Sequence, residues 1–102
     1  MGKRAQRPAR GGGDSDRRVV GLRAAVTCLR RELAAYPVEF ADRGIAEDEL
    51  AALAAMAFEG HPEVRRLRRS LLLVAGAMGS VSALAGGLAD VRAAVEEFGH
   101  EE

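Results

Sequence analysis

The chain has no tryptophan, one cysteine, one lysine and two histidines among its 102 residues, and only four aromatic rings. Each scarcity closes off a class of protein. The lone Cys28 leaves no partner for an intrachain disulfide or for a thiolate metal cluster. It falls beside an apolar seam with no histidine near it, which reads as a structural thiol rather than a reactive one. Neither His61 nor His100 has a cysteine or carboxylate at metal-ligand or dyad spacing. There is no Ser/His/Asp order and no CxxC. The glycines at 76, 79, 86 and 87 follow no strand, so they form no phosphate loop. These absences argue against an enzyme, a cofactor and a small-molecule substrate.

Charge of one sign is also lacking, because fifteen basic and fifteen acidic residues cancel. No global field therefore draws the chain to nucleic acid or to an anionic membrane. The basic residues at the start are followed by no apolar stretch, so they do not read as a secretory signal, and a cytoplasmic location is the default expectation. Fourteen of the fifteen cations are arginine, and alanine is in large excess. Together these read as the codon bias of a GC-rich bacterial genome.

What is present is helical periodicity. Residues 1–16 (MGKRAQRPARGGGDSD) hold too little apolar surface to offset their ordering, which predicts a disordered basic tail. A single domain is expected over 17–99. Helix 1 is expected over about 16–36, capped by Ser15 or Asp16. Its seam of Val19, Leu22, Val26, Leu29, Leu33 and Tyr36 is spaced alternately by three and four. Helix 2 is expected over about 43–59, with Asp42 as its cap and Ile45, Leu50, Leu53, Met56 and Ala57 on one face. Gly60, His61 and Pro62 give a stop followed by a restart.

Helix 3 is expected over about 62–98, with Gly86–Gly87 as the candidate kink, before an acidic end at 100–102. The fold class this predicts is all-α: three helices, up-down-up, the third long, apolar and rich in glycine and alanine. On that third helix, Val74, Met78, Val81, Leu84 and Leu88 form a large-residue face. Gly76, Gly79, Ser80, Ala83, Gly86 and Gly87 form an opposite face with almost no side chains, a candidate interface.

The stretch Glu47–Ala85 (EDELAALAAMAFEGHPEVRRLRRSLLLVAGAMGSVSALA) is similar to a family of small uncharacterised helical proteins from streptomycete-like actinobacteria. The likeness extends more loosely to helix 1. It implies a bacterial origin and carries no activity and no site residue with it.

Three functional readings compete. The first is a non-catalytic protein–protein interaction module. The second is a single-span inner-membrane protein using the nineteen uncharged residues 71–89. The third is an accessory nucleic-acid binder using the basic tail and Arg65, Arg66, Arg68 and Arg69. Under the first reading a second copy of the chain is a specific partner. The glycine-rich face is centred near residues 81–82, and the midpoint between the arginines and the terminal acids falls at residue 83. An antiparallel pair of straight third helices would lay Arg65 and Arg69 near Glu97 and Glu101 of the other copy.

Overall fold

A computed structural model describes residues 12–99, with side chains from Arg17 onward. Four α-helices follow one another: α1 (Gly12–Ala35), α2 (Arg43–Glu59), α3 (Val64–Met78) and α4 (Ala85–Gly99). A 3-10 turn, Ser82–Leu84, leads into α4. There is no strand among the described residues.

Each helix runs antiparallel to the next. Arg23, midway along α1, reaches the carbonyls at the end of α2, while Arg43 at the start of α2 reaches the Leu33 carbonyl in the last turn of α1. Arg68 near the start of α3 lies against Gly99 at the end of α4. The fourth helix closes the ring on the first: Arg18 sits over the Phe98 ring, and Gly87 rests on Leu29. The arrangement is an up-down-up-down bundle in which α1 packs on α2 and α4, and α3 packs on the same two.

The seam of α1 is buried as its spacing predicts. Val19, Leu22, Val26, Leu29 and Leu33 lie in the core and Tyr36 is half-buried. Leu50, Leu53, Leu67, Val74, Met78, Val91 and Val95 complete it with no exposed surface. Each fully buried aliphatic side chain contributes roughly 1.5–3 kcal/mol relative to exposure. Helix 2 occupies the predicted span, and Gly60 ends it in the left-handed region (φ 87°), its N–H bonding the Ala57 carbonyl at 3.2 Å. Asp42 stands at the cap position but makes no side-chain cap bond.

Four expectations are corrected. The long third helix is two helices, and the bundle has four elements rather than three. The break falls at Gly79–Val81, while Gly86 and Gly87, the expected kink, stay helical inside α4. Gly79 still bonds the Ala75 carbonyl in the helical manner at 2.8 Å. Val81 is then extended (φ −89°, ψ 98°), and its N–H turns back to the Met78 carbonyl at 3.0 Å. The compensation is burial, because folding back places Val91, Val95 and Phe98 on α1. At Gly87, inside α4, the missing Cβ lets α4 approach α1.

The third correction concerns the start of the chain. Residues 12–16 of the expected tail are the first turns of α1, since extending an existing helix costs far less than nucleating one. Residues 1–11 lie outside the described residues, as do His100, Glu101 and Glu102. The fourth concerns Ile45, which is 49 % exposed, while its neighbour Ala46 is buried. Ile45 stands at the edge of the α2 apolar arc, and the smaller residue beside it faces the core.

Candidate interaction surface

The outward face of α3 is the part of this bundle least explained by its own packing. Its inward residues, Leu67, Ser70, Val74 and Met78, recur at three and four and are buried. Arg65, Arg69, Leu72 and Gly76 share the opposite side, spaced four, three and four, and all are exposed. The stripe is basic in its first half and bare or apolar in its second. Leu72 is 73 % exposed and its neighbour Leu73 is 44 % exposed.

Beside that stripe a shallow cleft separates α3 from α2. Glu49, Ala52 and Met56 form one wall, and Arg66, Arg69, Ser70 and Leu73 the other. The four clustered arginines are therefore divided by the helix. Arg65 faces outward, Arg69 stands where the outward stripe meets the cleft, Arg66 turns towards α2, and Arg68 lies along α4 with its guanidinium against Gly99. Arginine in the first turns opposes the helix dipole. Arg68 at the end of α4 is placed well, since a helix C-terminus is the negative end.

The same use of arginine recurs twice, at residues that periodicity gave no reason to select. Arg23 of α1 donates to the carbonyls of Ala57 (3.2 Å) and Phe58 (3.1 Å) at the end of α2. Its guanidinium stands 5.4 Å from the centroid of the Phe58 ring. Arg43 donates to the Leu33 carbonyl in the last turn of α1 and to the Val38 carbonyl beyond it, and pairs with Glu47 at 3.3 Å. These side chains donate to carbonyls at helix ends, where acceptor capacity is left unused by the helical ladder. Residues read only as genome composition are thus fasteners between helices.

The glycine-rich face does not survive as one surface. Gly76 is on α3, Gly79 and Ser80 are in the break, Ala83 is in the 3-10 turn, and Gly86 and Gly87 are on α4. Five of the six are exposed, whereas Gly87 is buried, its Cα facing Glu32 and Leu29 of α1. Glu97 is exposed on α4 and lines a shallow cleft with Arg17, Arg18 and Gly21 of α1, on the side away from α3. Glu101, its expected companion, lies outside the described residues.

Among the described residues no group of three or more His, Cys, Asp and Glu is placed to hold a metal ion. Cys28 is exposed, with its thiol 3.9 Å from a Glu32 carboxylate oxygen. No helix of the described residues is long and apolar enough to cross a membrane, because the run 71–89 is divided by the break. The basic tail invoked for nucleic acid lies outside the described residues.

Comparison with known proteins adds a family and no activity. The model of DUF5955, a family of unknown function, matches residues 11–99. No curated protein and no solved structure shows a significant match to the chain.

Proposed function

We propose that this chain, which belongs to the DUF5955 family of unknown function, is a non-catalytic helical interaction module that binds a partner protein along the outward face of α3. The observation that carries the reading is the exposed stripe Arg65, Arg69, Leu72 and Gly76. The adjacent large apolar side chains Leu72 and Leu73, at 73 % and 44 % exposure, lie outside the buried core of the bundle. Two cations on the same line give the stripe a direction. The complementary partner is an amphipathic segment with carboxylates towards one end and aliphatic side chains towards the other. Gly76 lets its backbone come close. Phe58 is more exposed than either leucine, but the Arg23 guanidinium stands over its ring.

The test is a photoactivatable residue at Leu72 in cells that make the protein, with Thr27 on the exposed side of α1 as control. The reading expects an adduct at Leu72 that is absent at Thr27. It should map to an acidic and aliphatic segment, and be lost on joint replacement Arg65→Glu and Arg69→Glu. Equal labelling at the two positions, or an adduct indifferent to the arginines, refutes it.

A further inference from the structure

We propose that the chain also forms a domain-swapped dimer, in which residues 64–99 straighten into one helix and α4 of each copy takes the place of α4 in the other. The break between α3 and α4 is slight. Gly79 has helical angles (φ −63°, ψ −23°), Ser82–Leu84 is a 3-10 turn, and Ala85 is helical again. Val81, with ψ 98°, is the extended residue that turns the chain. Returning it to helical angles joins the two segments.

The register survives that change. Leu67, Val74, Val81, Leu88 and Val95 stand seven apart and all are apolar, four of them buried and Val81 half-buried, so one coiled-coil repeat passes through the break without a skip. Arg68 of α3 lies against Gly99 of α4 in the hairpin, so the antiparallel pairing is centred between Ala83 and Leu84. Two straightened helices paired antiparallel about that same centre repeat the contact between copies, with Arg68 of one against Gly99 of the other.

The core supplies the driving force in both states. In the monomer Leu88, Val91, Val95 and Phe98 are buried largely against α1, and in the swapped dimer against the α1 of the other copy. Little apolar burial changes hands. What differs is the hinge, and exchange of an identical element through a short hinge is a low-cost route to a dimer. At the centre of the new pairing Ser82, Ala85 and Ala89 are small enough for two backbones to lie close.

Two substitutions push the equilibrium in opposite directions. A Cβ at Gly79 meets the Ala75 carbonyl oxygen in the turn, a collision that a regular helix does not impose. Gly79→Ala therefore penalises the hairpin and favours the straight helix. Ser82 is the first residue of the 3-10 turn and follows an extended residue, a position that accepts proline. In the interior of a straight helix the same proline loses a hydrogen bond and clashes with the preceding turn. Ser82→Pro therefore spares the monomer and penalises both copies of the dimer.

The experiment is light scattering after size-exclusion chromatography across concentrations, combined with an intrachain distance between spin labels at positions 65 and 97. Doubly labelled chain is diluted into unlabelled chain. The wild type should show a dimer that exchanges slowly with monomer. Gly79→Ala should raise the dimerisation constant about tenfold or more, and Ser82→Pro should lower it about a hundredfold or more. In the dimer the label separation should be about 48 Å, thirty-two residues of continuous helix. The proposal is overturned by a folded Gly79→Ala chain that stays monomeric at its highest soluble concentration, or by a dimer that keeps the short intrachain distance. If Gly79→Ala does not fold, Ser82→Pro decides. A wild-type dimer undiminished by proline, or no wild-type dimer at all, then overturns it.

Discussion

Two adjacent glycines in α4 should respond to the same substitution with opposite sign. Gly86 is exposed and a Cβ there meets nothing within 4 Å. Gly86→Ala therefore brings only helix propensity, a gain of about 0.8–1 kcal/mol. Gly87 is buried against α1, and a Cβ there meets a Glu32 carboxylate oxygen and approaches Leu29 Cδ1 to 2.9 Å. The carboxylate is the far end of an exposed, flexible side chain and can swing away. Leu29 cannot, because it has no exposed surface and is held by the core. To restore ordinary contact, either Leu29 leaves its rotamer or α4 backs off by about half an ångström. Overpacking of this kind costs about 1–3 kcal/mol. Set against the same propensity gain, Gly87→Ala should be net destabilising by about 0–2 kcal/mol. The contrast between the two variants cancels the propensity contribution and should equal the overpacking cost alone. Denaturant melts followed by circular dichroism, at low protein concentration so that the monomer dominates, measure it directly. A contrast below about 0.5 kcal/mol, with both alanines stabilising, would show that α4 does not approach α1 as described.

Replacing Gly60 by alanine forces a left-handed residue to carry a Cβ, and should cost about 1–2 kcal/mol in the same melts. Arg43→Met keeps most of the aliphatic stem but leaves the Leu33 and Val38 carbonyls without their charged donor; a loss of about 1.5–3 kcal/mol is expected, and no change in midpoint would remove Arg43 as a fastener. Leu53→Ala at a fully buried site should cost about 2–5 kcal/mol. Leu72→Ser, by contrast, should stay within about 0.5 kcal/mol of wild type, because Leu72 is free for a partner and not part of the core; a large loss would contradict its exposure.

The parts of this fold that local sequence dictates were the legible ones. The three-four spacing from Val19 to Leu33 can bury only one stripe of a helix, and that stripe is buried. Gly60 followed by Pro62 stops one helix and starts another within a few residues, so the end of α2 was readable to the residue. Arg23, Arg43 and Arg68 were illegible for the opposite reason. A long cation on an exposed helical face has no periodic signature, and its usefulness depends on which helix end tertiary packing brings within reach. Ile45 misled because an apolar arc fixes a direction only to within its own width, and Ala46 is nearer its centre.

The α3–α4 break shows where local reading stops. Nothing between Leu71 and Asp90 forbids a helix, and the cheapest local place to bend is the pair Gly86–Gly87. The decision is made by length. A helix over 62–98 would run about 55 Å at 1.5 Å per residue, against about 26 Å for the seventeen residues of α2. Once α3 has paired with α2, the residues after Met78 would extend beyond its end, and Val91, Val95 and Phe98 would meet water. Burial of those three side chains is worth several kcal/mol. That exceeds the one or two helical hydrogen bonds given up at the turn, each about 0.5–1.5 kcal/mol net. A bend at Gly86–Gly87 would come too late, because Leu84 would already be on the exposed segment and Gly87 would no longer be available as the contact with Leu29. The turn must therefore precede Leu84. Gly79 is the last glycine before it, and a turn there requires a residue without a Cβ beside the Ala75 carbonyl.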